Sequence, residues 1–167
     1  FLGLDEIHMY DLYVPITGDA PIKYDYSQAS LASIEALKPL GEEYGVIMKK
    51  AYDERWIDVA ENIGKRSGGY SSGGYATNPF ILLNWHDELS NFFTLVHELG
   101  HSARSYFTRH TQPFQYGDYS IFLAEIASTT NENLLTDYLL KKHTDKESQI
   151  YILNNYLIIS FLNKQFS

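Results

Sequence analysis

The sequence predicts a mainly α-helical domain with one small β element, an α+β arrangement in which helices dominate. Two observations carry that reading. Apolar residues recur three and four positions apart through several long segments, the spacing that lines one face of a helix. Only one apolar run, Phe80 to Trp85, is short and bounded by turn residues, as a strand is. In chain order, residues 1–26 form an entry arm of short runs between corners at Pro15, Thr17-Gly18-Asp19 and Pro21, with Tyr10 to Pro15 extended. Leu31, Ile34 and Leu37 mark a first helix from Ser27 to Leu37. After Pro39 and Gly41 a second runs from Glu42 to Ile57 or beyond. The run from Gly64 to Tyr75, with further glycines at 68, 69, 73 and 74, is too costly for a helix interior and reads as a loop or an irregular strand pair. One strand follows at Phe80 to Trp85. Asp87 then offers an N-cap to a helix with apolar residues at Phe92, Leu95, Val96, Leu99 and Ala103, reaching about Tyr106. A further helix is expected from near Ser120 to Lys141, and Thr144-Asp145-Lys146-Glu147 has the capping-box pattern that opens the last one.

Composition narrows the chemistry. At 167 residues and 44% apolar content, the chain is one domain's worth of sequence and can bury a sizeable core. Its 21 acidic residues against 13 basic give a net charge of −8, which offers no general attraction to nucleic acid or an anionic membrane surface. Cysteine is absent, so thiolate nucleophiles, disulfides and Cys-ligated metals are excluded, and any metal must be held by His, Asp or Glu. No run of 18 apolar residues is present to span a bilayer, no signal peptide is evident, and a cytoplasmic location is expected. The chain begins at Phe1 and ends in an apolar-periodic segment, Tyr151 to Ser167, with no stop signal. It therefore reads as a piece of something longer, lacking N- and C-terminal parts.

His97-Glu98-Leu99-Gly100-His101 is an H-E-x-x-H pattern. Residues four apart share a helix face, so both imidazoles can reach one ion, while Glu98 at the edge of that face can hold a water against it. The flanking Leu95, Val96, Leu99, Gly100 and Ala103 are apolar or small, as for a metal helix buried beneath a cleft. Catalytic zinc takes three protein ligands. Arg104 and Phe107 stand where a metzincin would carry the extension after its second histidine, so the third must come from elsewhere. Glu125, a lone acid among apolar and small residues, is the candidate; it either meets a cation or lies on a surface stripe. Glu132, seven residues on and on the same face, could accept the second N–H of an imidazole.

Plainer readings compete. His97 and His101 could be a hydrogen-bonded core pair, and Glu98 a bystander between them. The glycine-rich run lacks the G-x-x-x-x-G-K-[ST] and G-x-G-x-x-G orders of nucleotide loops. It reads instead as a loop over a cleft, with Tyr70 and Tyr75 as candidate substrate contacts. If Ile81 to Asn84 is an edge strand beside the metal helix, its backbone, with Leu82 and Asn84, could pair with an extended peptide.

These residues resemble oligoendopeptidase F, of the thimet oligopeptidase-like zinc metallopeptidase family. The resemblance rests on Leu2-Gly3-Leu4 with His8 to Pro15, Arg55-Trp56-Ile57-Asp58, Gly64-Lys65-Arg66-Ser67-Gly68 with Tyr70, Leu82-Leu83-Asn84-Trp85, the H-E-x-x-H helix, and Ala124-Glu125 with Ser128. It implies a zincin-like core binding one Zn2+ per chain, with His97, His101 and Glu125 as ligands and Glu98 as general base. It further implies hydrolysis of internal bonds in short, unfolded peptides. Family members are several times longer and carry a substrate-binding His and Tyr cluster after the third ligand, absent here, so the chain corresponds to the middle of a catalytic domain. On that reading it is a single partial domain: entry arm 1–26, helical pair 27–63, glycine-rich loop and edge strand 64–86, and metal-binding helices 87–167. The rivals are another gluzincin-type exopeptidase and a non-catalytic helical module that binds zinc or a partner.

Overall fold

The computed structural model describes Glu6, His8 and residues 22–158. The expected extended piece at Tyr10 to Pro15 and most of the entry arm lie outside the described residues. The last part of the arm is built into the core: Ile22 and Tyr24 are buried, and the backbone of Lys23 pairs with that of Glu88 in an isolated antiparallel bridge. Asp25 caps helix α1 (Tyr26–Ala36), accepting from the Gln28 backbone N–H while the Gln28 side chain accepts from Asp25 N–H. A 3-10 turn at Lys38–Leu40 leads to Gly41, whose φ of 93° suits only glycine, and into α2 (Glu42–Asp53).

The α2 helix stops short of the expected Ile57. Arg55 takes a left-handed φ of 55°, its N–H bonds Tyr52 O, and Trp56 N–H bonds Ala51 O at 2.9 Å, a Schellman closure with arginine where glycine is usual. The closure seats Trp56 in the core at 1% exposure, stacked on Tyr106, and frees Ile57 to enter a sheet.

Among the described residues the single expected strand is one of three: β1 (Ile57–Asp58), β2 (Tyr70–Ser72) and β3 (Phe80–Leu82), in the order β1-β3-β2. β3 runs parallel to β1, with Ile57 opposite Ile81, and antiparallel to β2, with Tyr70 opposite Leu82. The expectation of an edge strand at Ile81 to Asn84 is thus corrected: β3 is central and β2, from the glycine-rich run, is an edge. Between its two partner strands β3 buries Ile81 at 1% exposure, while Phe80 stays exposed.

Helix α3 (Leu89–Thr111) is the axis of the fold, with Phe92, Phe93, Leu95, Val96 and Leu99 all at 0% exposure. Asp87 is not its N-cap. That position is Glu88, while Asp87, at φ 54°, accepts a bond from Trp85 Nε1 at 2.7 Å. The helix runs past Tyr106 to Thr111 and ends where Pro113 holds Gln112 extended. A 3-10 turn at Phe114–Tyr116 precedes α4 (Ile121–Lys142), which packs along α3 and buries Leu135 and Leu139 in the core. Helix α5 (Lys146–Leu157) closes the described chain. Its cap is Asp145, bonded to Ser148 N–H at 2.8 Å, one residue later than the box on Thr144. Among the described residues no helix is long and apolar enough to cross a membrane.

Candidate metal centre

The α3 helix places His97, Glu98 and His101 with donor atoms all within 4.8 Å of one another. The imidazoles stand edge to face, 4.6 Å between centroids, with their Nε2 atoms 2.9 Å apart. Two ring nitrogens so close must share a proton or face a common cation. Glu125, on α4, turns its carboxylate to the same point, with Oε2 3.7 Å from His97 Nε2 and Oε1 3.7 Å from His101 Nε2. Ser128 Oγ donates to Glu125 Oε2 at 3.0 Å and holds it there. Two imidazoles and a carboxylate on one point are a donor set that fits a divalent metal ion.

The approach of α4 to α3 depends on Gly100, inside the motif. A Cβ at Gly100 would lie 2.7 Å from Ser128 Cα and 2.9 Å from Ala127 O, so only glycine lets the helices cross this closely. The crossing is locked by Asn131, whose buried amide donates to Val96 O at 2.9 Å and accepts from Tyr44 Oη at 2.9 Å. Two turns along α4 from Glu125, the fully buried Glu132 sets Oε1 2.6 Å from His97 Nδ1. A proton on Nδ1 then lies between ring and carboxylate, and the Nε2 lone pair is left facing His101 and Glu125.

Glu98 is only 6% exposed. Burial pushes its carboxyl up to about 7; the charge of His97 and the Ser71 backbone N–H act against that, while the charges of Glu125 and Glu132 add to it. Ser71 Oγ also meets Ser102 Oγ at 2.8 Å, which fastens β2 to α3. A cleft of about 390 Å³ opens over the cluster, walled by Tyr70, Ser71, Ser105, Tyr119 and Ile121.

Of the other candidates, Tyr70 borders this cleft and the rest are elsewhere. Tyr75 donates to Gln112 O at 2.6 Å and packs edge-on against Phe114. Leu82 pairs within the central strand. Asn84 donates to Arg66 O and Gly68 O and staples the glycine-rich loop. Sequence reasoning missed Ser71, Ser102 and Tyr119, whose hydroxyl meets Ser105 Oγ at 2.6 Å and donates to His101 O at 3.4 Å. Their small or common side chains carry no motif, and only the fold brings them to the cluster.

The profile of peptidase family M3 matches residues 2–166. The chain belongs to this family. This M3 chain is 56% identical over 156 residues to Oligopeptidase PepF of Bacillus subtilis (strain 168), covering 93% of the chain and 23% of that protein. It is 53% identical over 156 residues to the chromosomal Oligoendopeptidase F of Lactococcus lactis subsp. cremoris, covering 93% of the chain and 26% of that protein. It thus spans about a quarter of the length of the curated relatives it matches. A crystal structure of a peptidase from Chlamydophila abortus superposes with a TM-score of 0.80 at 43% identity, over 95% of this chain and 26% of the other. PZ peptidase A with inhibitor 2 shares the fold, with a TM-score of 0.73 at 23% identity over 93% of this chain and 29% of the other.

Proposed function

We propose that this protein is the metal-binding part of a zinc-dependent endopeptidase that cleaves internal bonds of short, unfolded peptides. The observation that carries the reading is the convergence of His97 Nε2, His101 Nε2 and the Glu125 carboxylate on one point, with the buried Glu98 beside it. His97, His101 and Glu125 hold one zinc ion per chain, and when bound that ion polarises the scissile carbonyl and acidifies a water molecule.

The chain's own residues do the rest. Glu98, with its carboxyl raised to about 7, takes the proton of the attacking water and returns it to the leaving amine. Glu132 accepts the His97 Nδ1 proton and keeps Nε2 turned outward. The peptide lies extended along the cleft beside β2, with Tyr70 against it, and is read through its backbone more than its side chains.

Zinc content by elemental analysis, after dialysis without chelator, tests the site directly. One zinc per wild-type chain and little in His97→Ala are expected; equal zinc in the two would overturn the assignment. In the complete gene product, Glu98→Gln is expected to cut turnover of peptides blocked at both ends by roughly 10²-fold or more while zinc is retained. Unchanged turnover would favour a non-catalytic module. Cleavage confined to peptides with a free terminus would identify an exopeptidase.

A further inference from the structure

One helical turn beyond His101, α3 carries a second polar site that the metal cluster does not use. The Arg104 guanidinium lies over the Tyr119 ring, 5.2 Å from its centroid, and its buried Nε has no hydrogen-bond partner. Four residues on, Thr108 is 7% exposed and its Oγ1 is likewise buried and unpartnered. Both side chains line one cavity of about 370 Å³, walled also by Tyr116, Tyr119 and Leu123. Buried donors are nearly always satisfied, so two orphan donors on side chains that line one cavity leave a demand for an acceptor there. A guanidinium with a hydroxyl beside it is the donor pair that suits a carboxylate.

Tyr119 also walls the metal cleft, so the two cavities share a side chain. Thr108 stands seven residues past His101, about 10 Å along the helix axis. For an extended peptide running along α3, at about 3.3 Å per residue, a group held there lies about three residues from the bond being cut. Asp118, exposed on the rim, is the one feature that opposes an anion.

We propose that Arg104 and Thr108 form a specificity site for a carboxylate of the bound peptide, supplied by its C-terminus or by an acidic side chain. The proposal rests on the peptidase reading and deepens it.

The test is calorimetric binding of N-terminally blocked peptides to the metal-free protein, in four forms: Glu or Gln at one position, each with a free or an amidated C-terminus. The carboxylate form is expected to bind about tenfold more tightly than its amide partner, and which pair shows the gain identifies the source. Arg104→Met removes the gain, Arg104→Lys keeps part of it, Thr108→Val reduces it, and Asp118→Asn enlarges it. Equal binding of all four peptides, or a gain that survives Arg104→Met, overturns the proposal. Should Arg104→Met fail to fold, the Asp118→Asn comparison decides: an unchanged gain there counts against the site and an enlarged one for it. The same peptides incubated with zinc and the complete gene product separate the two readings. Cleavage without discrimination leaves the peptidase and removes this site, whereas discrimination without cleavage removes the peptidase and leaves a peptide-carboxylate site.

Discussion

Glu132 shows how much one buried side chain can decide. It is fully enclosed, and a carboxylate in that position is tolerable because His97 Nδ1 stands 2.6 Å from it. Replacing the carboxylate with an amide of the same shape removes the charge that holds the proton on Nδ1, so Glu132→Gln is expected to weaken metal affinity about 10- to 100-fold. Competition against a chelator of known affinity measures it, and an unchanged constant would show that the ring is oriented by packing alone. This pairing was legible in the sequence through the seven-residue step from Glu125, which returns to the same helix face. The contacts of Ser71, Ser102 and Tyr119 were not, since each reaches the cluster from a separate element.

Between elements, the crossing of α3 and α4 is where the site is made or lost. Helix propensity alone favours Gly100→Ala by about 1 kcal/mol. The added methyl would meet Ser128 Cα at 2.7 Å, with backbone and no flexible side chain to give way. The clash wins, because overpacking against backbone costs about 1–3 kcal/mol and moves Glu125 away from the imidazoles. Gly100→Ala is therefore expected to lower the thermal midpoint and to lose metal together. A variant that melts higher and still binds would refute the close-packing argument. The small residue was visible within the motif, but its reason was not, because Ser128 lies 28 positions later and only the packed pair shows what a side chain would strike.

At the scale of the whole molecule, two partly buried tyrosines sew the helices together. Tyr44 on α2 bonds Asn131 on α4, and Tyr52 on α2 meets Ser33 on α1 at 2.6 Å. Burial pushes Tyr44 up to about 12 from its ordinary 10.0 and raises Tyr52 further. With folded values above unfolded ones, the stability these groups contribute is complete below pH 10 and is lost as pH rises from there toward 12. Circular dichroism with tyrosinate absorbance is expected to show unfolding in that window. Tyr44→Phe should shift the unfolding upward in pH, even though it loses stability at neutral pH. Titration of all tyrosines at their ordinary value with the fold intact would contradict the burial argument.

Local spacing alone determined the helices and the pairing of His97 with His101, because a helix's period relates residues only three or four apart. The apolar and small residues around Glu125 singled it out as an acid that either meets a cation or lies on a surface stripe. Strand order, the left-handed turn at Arg55, and the meeting of Glu125 with the imidazoles were decided by tertiary structure. The physical reason is common to all three. Each depends on which backbone surfaces can approach one another, and that is settled by packing between segments far apart in the chain, where no local pattern records it.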